Sequence, residues 1–567
     1  MNTSESNSLQ IVKWWKFWEN PLVIRYQRSQ LRLKKSLGWI LAVSLLSVFL
    51  FFTIFLGAVN NDFATPKEAA RAVLIPLVII QGILMMLMGT GNVASGIVQD
   101  KVNGTIDYQR LTPMTPLSKI VGYLFGLPIK EYLLFAITIP FTIAALVIGQ
   151  IPFDVWLPVY TIFFTSVLLY HFTGMAAGMI AKKWRFAARM TQGLVILLYL
   201  VLPQFSHLGL YAFQYLTVRP VLMAKLSPLL PNVPGDSGAN PLMDTSETVP
   251  FFVWEFSSFS FSLVLQSLLI ITLGVMCYRK WRDEHQHALS KRFGIGVFAV
   301  IAVMILGNLW PILTRDTSVS IPIFGAMSAN RIDQGVGVSL PIILCLAMMG
   351  VAIAVLNMVT PAYHEVLKGW RRVLKQGQPR LSIFANEAPS GFVVIVIGAI
   401  AVCAILIEMV TLNANNFYDK YSLDWLSYVY LPLAFCVALG SFYTSLIGLQ
   451  TRRIFLIILL GWIFPGMIAI FLGAAFNMFD VAAYVAALSP LFLIIFGGGF
   501  LMPPEVAVDS DFTVSTVRNA FWLSCVLHTV WIIWISRKWN KQYQELIELA
   551  KSGSKEIPSS LLESQED

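Results

Sequence analysis

The chain has 567 residues, of which 57% are hydrophobic and only 13% charged, with a mean hydropathy of +0.70. Soluble domains carry roughly 25% charged residues, so this composition excludes a soluble particle of this size and points to a membrane protein. The longest stretch without a strong apolar run is about 40 residues, too short for a nucleotide-binding fold of about 150 residues; the formal charge of +9 reads as topology rather than as nucleic-acid binding, because Lys and Arg collect in cytoplasmic loops.

In chain order, the first 36 residues lack a short apolar core followed by a small-residue cleavage site, so the first span is expected to serve as an uncleaved insertion signal. Runs of roughly 20 apolar residues, enough to cross the hydrocarbon, lie near 37–59, 72–94, 130–149, 156–181, 191–209 and 256–278. Six more lie near 294–313, 338–360, 391–411, 425–449, 454–476 and 516–536. The expectation is therefore an all-α polytopic fold of twelve transmembrane helices. The stretch 481–501 is interrupted by Pro490 and Gly497-Gly498-Gly499 and is expected to be re-entrant or interfacial. All five cysteines fall in apolar runs without a CxxC pair, and no His cluster occurs, which argues against disulfides and a zinc site.

With the N-terminus inside, 31 of the 40 Lys and Arg fall in inner segments and eight in outer ones, with Lys130 at the edge of the third span. Both termini are thus expected in the cytoplasm. Four anchors recur in the same order at spacings of 265, 270, 262 and 258 residues. They are Pro76 and Pro341, Lys182-Lys183 and Arg452-Arg453, Leu226-Ser227-Pro228-Leu229 and Leu488-Ser489-Pro490-Leu491, and Arg279-Lys280-Trp281 and Arg537-Lys538-Trp539. A parallel duplication follows, with a pathway between its halves. The expected organisation is an N-terminal segment with a surface helix (1–36), a first six-span half (37–278), a linker (279–293), a second half (294–536) and a polar cytoplasmic tail (537–567).

Between the second and third spans, Gly104 permits a sharp break, and Pro113 forces Thr112 out of the helical region. What lies between is a helix of about two turns. Ile106, Tyr108 and Leu111 are available to fill a pocket, with Asp107 and Arg110 to orient the helix. The same residues also suit a solvated loop that merely reverses the chain.

Lys130 and Glu131 follow Pro128 and are expected at the boundary, where long stems can snorkel, with residues 116–128 forming a second surface helix; a span beginning near Ile120 would instead bury Lys130 about 15 Å deep. His171, His207, His528, Glu255 and Glu408 are the other ionisable groups near apolar runs, and the absence of paired deep carboxylates argues against a proton-coupled carrier. The run Met85-Met86-Leu87-Met88 fits helix packing or an adaptable greasy contact.

Gly104-Thr105, Leu111-Thr112-Pro113 and Leu117-Ser118-Lys119, with Gly122 beyond, resemble the signature of type-two ATP-binding-cassette (ABC) exporter permeases. Glu19 to Arg28 is similar to that family's elbow helix, and the Leu-Ser-Pro motif to its outer re-entrant region. The resemblance covers residues 19–280 and is weak over 281–545. It implies a permease that moves an amphiphilic or lipid-like substrate outward, docked on separate ABC-type ATPase subunits that hold ATP and Mg. The chain itself has no GxxxxGK[ST] phosphate loop and is expected to be no enzyme and to carry no cofactor or catalytic residue. A plasma-membrane location, the lipid bilayer as surroundings and no nucleic-acid partner complete the expectation. In the second half Tyr363 to Arg372 occupies the equivalent loop, with Leu367, Trp370, Arg371 and Arg372 as candidate contacts, but Gly-Thr and Thr-Pro are missing there. The runner-up function is a gradient-driven carrier built from two six-helix halves.

Overall fold

The computed structural model describes residues 17–60, 65–203, 211–229, 248–283, 287–314, 320–321, 325–326, 334–412, 426–449, 459–501 and 514–552. The chain divides into two compact units, one comprising residues 1–206 and 211–288 and the other residues 207–210 and 289–567. Ten of the described helices are long and apolar enough to cross a membrane. The protein is an all-α integral membrane protein, with two small antiparallel hairpins as its strands among the described residues.

In the first unit α1 (Pro21–Gln30) starts where Asn20 accepts a hydrogen bond from the Leu22 amide and Pro21 occupies the first helical position. The long α2 (Leu33–Asn60) shows its apolar side chains outward, with Leu45 69% and Phe49 63% exposed, as suits a helix solvated by lipid. Thr65 and Glu68 form a capping box that opens α3 (Pro66–Gly82). A π-helical segment, Ile83–Gly89, joins α3 to α4 (Thr90–Val102), so that Pro66–Val102 is one rod of 37 residues. After it come α5 (Thr105–Arg110), α6 (Pro116–Gly126), α7 (Ile129–Ile148) and α8 (Phe153–Ile180). The unit closes with α9 (Trp184–Leu200), α10 (Arg219–Leu226), the hairpin of β1 (Thr248–Phe251) and β2 (Trp254–Ser257), and α11 (Ser258–Arg282).

The expected fifth span is shifted. Its helix α9 begins seven residues earlier than the apolar run, because Arg185 and Arg189 are helical, and its 17 residues give about 25 Å of helix. Residues 204–209 of that expected span lie outside the described residues.

The second unit has α12 (Lys291–Thr314), the hairpin of β3 (Ser320–Ile321) and β4 (Gly325–Ala326), α13 (Gln334–Val359) and α14 (Tyr363–Lys375). It continues with α15 (Phe392–Leu412), α16 (Ser427–Leu449), α17 (Phe464–Phe476), α18 (Phe479–Ala486), α19 (Pro490–Gly499) and α20 (Val514–Ser552). The first residues of the expected eleventh span lie outside the described residues, and the described apolar helix there runs Leu460–Phe476. Residues 481–501 form no crossing helix: α18 and α19 have 8 and 10 residues, and the Ser489 hydroxyl between them donates to the Trp462 carbonyl at 2.5 Å. The tail expected to be a polar segment from 537 is helical to Ser552 as a continuation of α20, and residues 553–567 lie outside the described residues.

Helix α1 lies against α6 at Gly122 and Gly126, spaced so that both share one face. A Cβ at 122 would meet the Leu22 Cβ at 2.9 Å, and one at 126 would meet the Tyr26 ring at 2.8 Å and the Val23 Cα at 3.3 Å. Small residues four apart let two helices approach this closely. Gly126→Val is therefore expected to push α1 outward at a cost of about 1–3 kcal/mol. In a Val23→Cys background, labelling of the otherwise buried thiol should speed up about tenfold, a factor worth about 1.4 kcal/mol; an unchanged rate would show that the contact is loose.

Candidate functional site

The residues singled out between the second and third spans meet at one end of the first unit, where α1, α4, α5, α6 and α11 come together. Gly104 has φ +69°, the left-handed conformation that breaks α4 from α5. Helix α5 then presents two faces. Tyr108 and Leu111 project outward at 73% and 84% exposure, and Asp107 pairs with Arg110 at 3.0 Å across the same outer side. Thr105 and Thr112 are half-buried and Pro113 is exposed; the Thr112 hydroxyl donates to the Gln109 carbonyl and closes the last turn. Ile106, grouped in the sequence with the pocket-filling residues, points inward instead, into a cluster with Ile97, Ile120, Tyr123 and Trp281. Ser118 is fully buried as well, and its carbonyl accepts from the Asn20 carboxamide at 2.7 Å, which ties α6 to the start of α1.

Beneath α5 lies a buried polar group centred on Asp100, near the end of α4. Its carboxylate accepts from the Tyr26 hydroxyl at 2.5 Å and the Tyr123 hydroxyl at 2.8 Å, and the Arg25 guanidinium bonds it at 3.2 and 3.4 Å. The Tyr123 oxygen also lies 2.8 Å from the Gln109 side chain of α5. A phenol has one proton, so it cannot donate to both. Rotating the Gln109 carboxamide makes its NH2 the donor to Tyr123, leaves the phenol proton to Asp100, and gives a partner to the otherwise unsatisfied Gln109 nitrogen. Burial, reinforced by the Asp100 charge, holds the Tyr26 and Tyr123 phenols well above their ordinary range, so both remain donors. Trp281, from the Arg-Lys-Trp group at the end of α11, packs on the Tyr123 ring at 5.1 Å. Four elements are thereby locked around a six-residue helix that could not hold its shape alone.

The equivalent segment of the second unit is built differently. Along α14 the apolar residues Tyr363, Val366, Leu367, Trp370 and Val373 fall on one stripe, and the C-terminal part of α20 covers that stripe with Trp539, Tyr543, Leu546 and Ala550. Tyr363 stacks on Trp539 at 5.6 Å and donates to Gln542, while the Trp370 indole donates to the Tyr543 hydroxyl at 3.1 Å. Leu367 and Trp370 are 3% and 9% exposed. These two candidate docking residues are thus occupied by the chain's own C-terminal helix, the opposite of what an open contact requires. Arg371 is half-buried, and Arg372 pairs with Glu387 at 2.9 Å.

Of the membrane-embedded candidates, Lys130 is half-buried with its ammonium 4.4 Å from the centre of the Trp39 ring. Glu131, expected beside it at the solvated boundary, is instead fully buried and accepts from the Asn92 carboxamide at 2.6 Å. Asn92 lies ten residues before the end of α4, about 15 Å along the rod. Helix α7 packs against α3 and the π-helical segment of the rod, which brings Glu131, next to the boundary in sequence, onto Asn92 in the interior. His171 is also fully buried, 3.0 Å from the Met85 carbonyl inside the π-helical segment, where the altered register leaves carbonyls open to side-chain donors. Deeper still, Gln81 bonds Thr138, Thr142 and Tyr160. Among the described residues no group of three His, Cys, Asp or Glu side chains could hold a metal ion.

Sequence reading missed Arg25, Tyr26, Asp100, Gln109 and Tyr123. Their one signal was the acidic and amide residues flanking Gly104, Asp100 and Gln109, which a solvated loop would not have buried. No family model, curated protein or solved structure matches the chain.

Proposed function

We propose that the chain is the membrane-spanning subunit of an ABC-type exporter, coupled through α5 to a separate cytoplasmic ATPase that binds ATP and Mg. The observation that carries the reading is the exposed pair Tyr108 and Leu111 on a short helix whose opposite side is anchored by Ile106 and the Asp100 group. Apolar side chains held outward on a rigid support are suited to fill a partner's pocket. The motif residues Gly104, Thr105, Thr112 and Pro113 shape that helix, and Asp107 and Arg110 fix its outer rim. In this reading both termini and residues 100–119 face the cytoplasm, and the membrane is the plasma membrane. The substrate is amphiphilic or lipid-like.

The reading extends to a duplicated permease in which one chain supplies both halves. In support, the tryptophan of each Arg-Lys-Trp group packs on a tyrosine between the second and third spans of its own unit, Trp281 on Tyr123 and Trp539 on Tyr363. The test is purification of the tagged full-length chain in mild detergent with mass measurement of what accompanies it. One copy of the chain with two ATPase subunits is the expected result. A preparation that neither retains nor stimulates any nucleotide hydrolase removes the exporter assignment.

One observation favours a second reading, a gradient-driven carrier: Glu131 is fully buried and one of its oxygens has no hydrogen-bond partner, the kind of intramembrane carboxyl that binds a proton or cation. Transport that persists without ATP and collapses with the ion gradient would select it.

A further inference from the structure

At the start of the second unit, Ser290, Arg292, Arg372, Ser382, Asn386 and Glu387 line an open cleft of about 390 Å3. Its position is set by two helices that begin there, α12 at Lys291 and α15 at Phe392, both of membrane-crossing length. The cleft therefore lies at the boundary between hydrocarbon and water. Beside it Ile383 and Phe384 are 52% and 47% exposed, apolar side chains held out at the level where acyl chains meet head groups.

The charge there is unbalanced. Glu387 is engaged by Arg372 at 2.9 Å, and Arg292 makes no ion pair among the described residues. Lys291 is 1% exposed, and its ammonium is held by neutral oxygens alone, the Ala388 carbonyl and the Ser390 hydroxyl at 2.8 Å. Its own backbone amide donates to Asn386, a residue of the cleft wall, which places this buried cation behind that wall. Glu387 is the one carboxylate among the described residues that acts on the Lys291 charge, and Arg372 shares it; a buried ammonium so incompletely compensated is costly. Lys291, Arg292 and Arg372 set against the single carboxylate of Glu387 leave an excess of two positive charges, which an anion in the cleft would reduce.

We propose that this cleft binds the phosphodiester of an anionic phospholipid. Arg292 and Arg372 supply the fork that suits phosphate oxygens, Ser290, Ser382 and Asn386 supply neutral hydrogen bonds, and Ile383 and Phe384 lie against the acyl chains. The volume is that of a head group rather than of a whole lipid. The site is independent of the exporter reading, since it rests on the second unit's membrane boundary and not on α5.

The test uses native mass spectrometry of the full-length chain in detergent, titrated with phosphatidylglycerol, phosphatidylcholine or inorganic phosphate. The wild-type chain should retain one phosphatidylglycerol in preference to phosphatidylcholine, and millimolar phosphate should not displace it. Arg292→Gln should weaken that retention about fivefold, the worth of one basic side chain at a membrane surface, and leave retention of phosphatidylcholine unchanged. Arg292 is exposed and outside the packed core, so the variant is expected to fold, which an unchanged elution profile verifies. If the variant and the wild type retain phosphatidylglycerol equally, the cleft is no lipid site. If inorganic phosphate binds alone and displaces the lipid, the ligand is a soluble phosphate and the lipid assignment is overturned.

Discussion

Leu111→Asp is expected to lower retention of the ATPase by the purified chain on the order of a hundredfold, because seating a carboxylate in an apolar pocket costs about 3 kcal/mol. Leu111 is 84% exposed, so its replacement removes little packing from the chain itself. Membrane insertion, yield and thermal stability should remain at wild-type values while co-purified ATPase and stimulated ATP hydrolysis fall together. Ile106→Asp, one turn away and buried, supplies the contrast: it should depress yield first, since it places a charge in the cluster beneath α5. Leu367→Asp belongs with Ile106 rather than with Leu111, for Leu367 is covered by α20. If Leu111→Asp leaves ATPase association and turnover unaltered in a well-folded chain, residues 105–111 are an ordinary connecting turn and the coupling assignment fails.

The second large effect belongs to the opposite unit. Leu546 is 1% exposed at the centre of the contact between α20 and α14, and Leu546→Asp should cost about 3 kcal/mol through lost packing and an unpaired buried charge. The membrane part of α20 is anchored by apolar residues, so the loss should appear as local detachment of the end of the helix rather than as global unfolding. Trypsin should then cut at Lys541 and Lys551 on the order of a hundred times faster, because cleavage tracks the population of the opened segment. Equal cleavage of variant and wild type would mean that this contact contributes little to holding the helix down. Detachment also uncovers Tyr363, Val366, Leu367 and Trp370, so the variant preparation should bind more detergent or self-associate.

Most of the crossing helices were legible because a run of about 20 apolar residues is a property of composition alone. Where the reading slipped, a polar group stood inside a helix. Arg185 and Arg189 lie in the first turns of α9, and an apolar window cannot see them as helical. The inward face of α5 was illegible for a different reason. Six residues are too few for a 3.6 periodicity to separate Ile106 and Gln109 from Tyr108 and Leu111. The Asp100 group depends on partners 74, 75 and 23 residues away, contacts that only the folded chain creates. The cover on α14 could have been found, since Tyr543, Leu546 and Ala550 recur at helical spacing in a tail otherwise rich in Lys, Gln and Glu.

The rod from Pro66 to Val102 is 37 residues long, about 55 Å at 1.5 Å per residue, against a hydrocarbon layer of about 30 Å. Because α5 follows its Val102 end, the rod would act as a lever in the proposed exporter. Swung about its Pro66 end, it would need a tilt of only about 5° to carry α5 through about 5 Å, roughly the pitch of one helical turn. The π-helical segment sits near the middle of that arm, where a change of register would alter the direction of the stroke without shortening the arm.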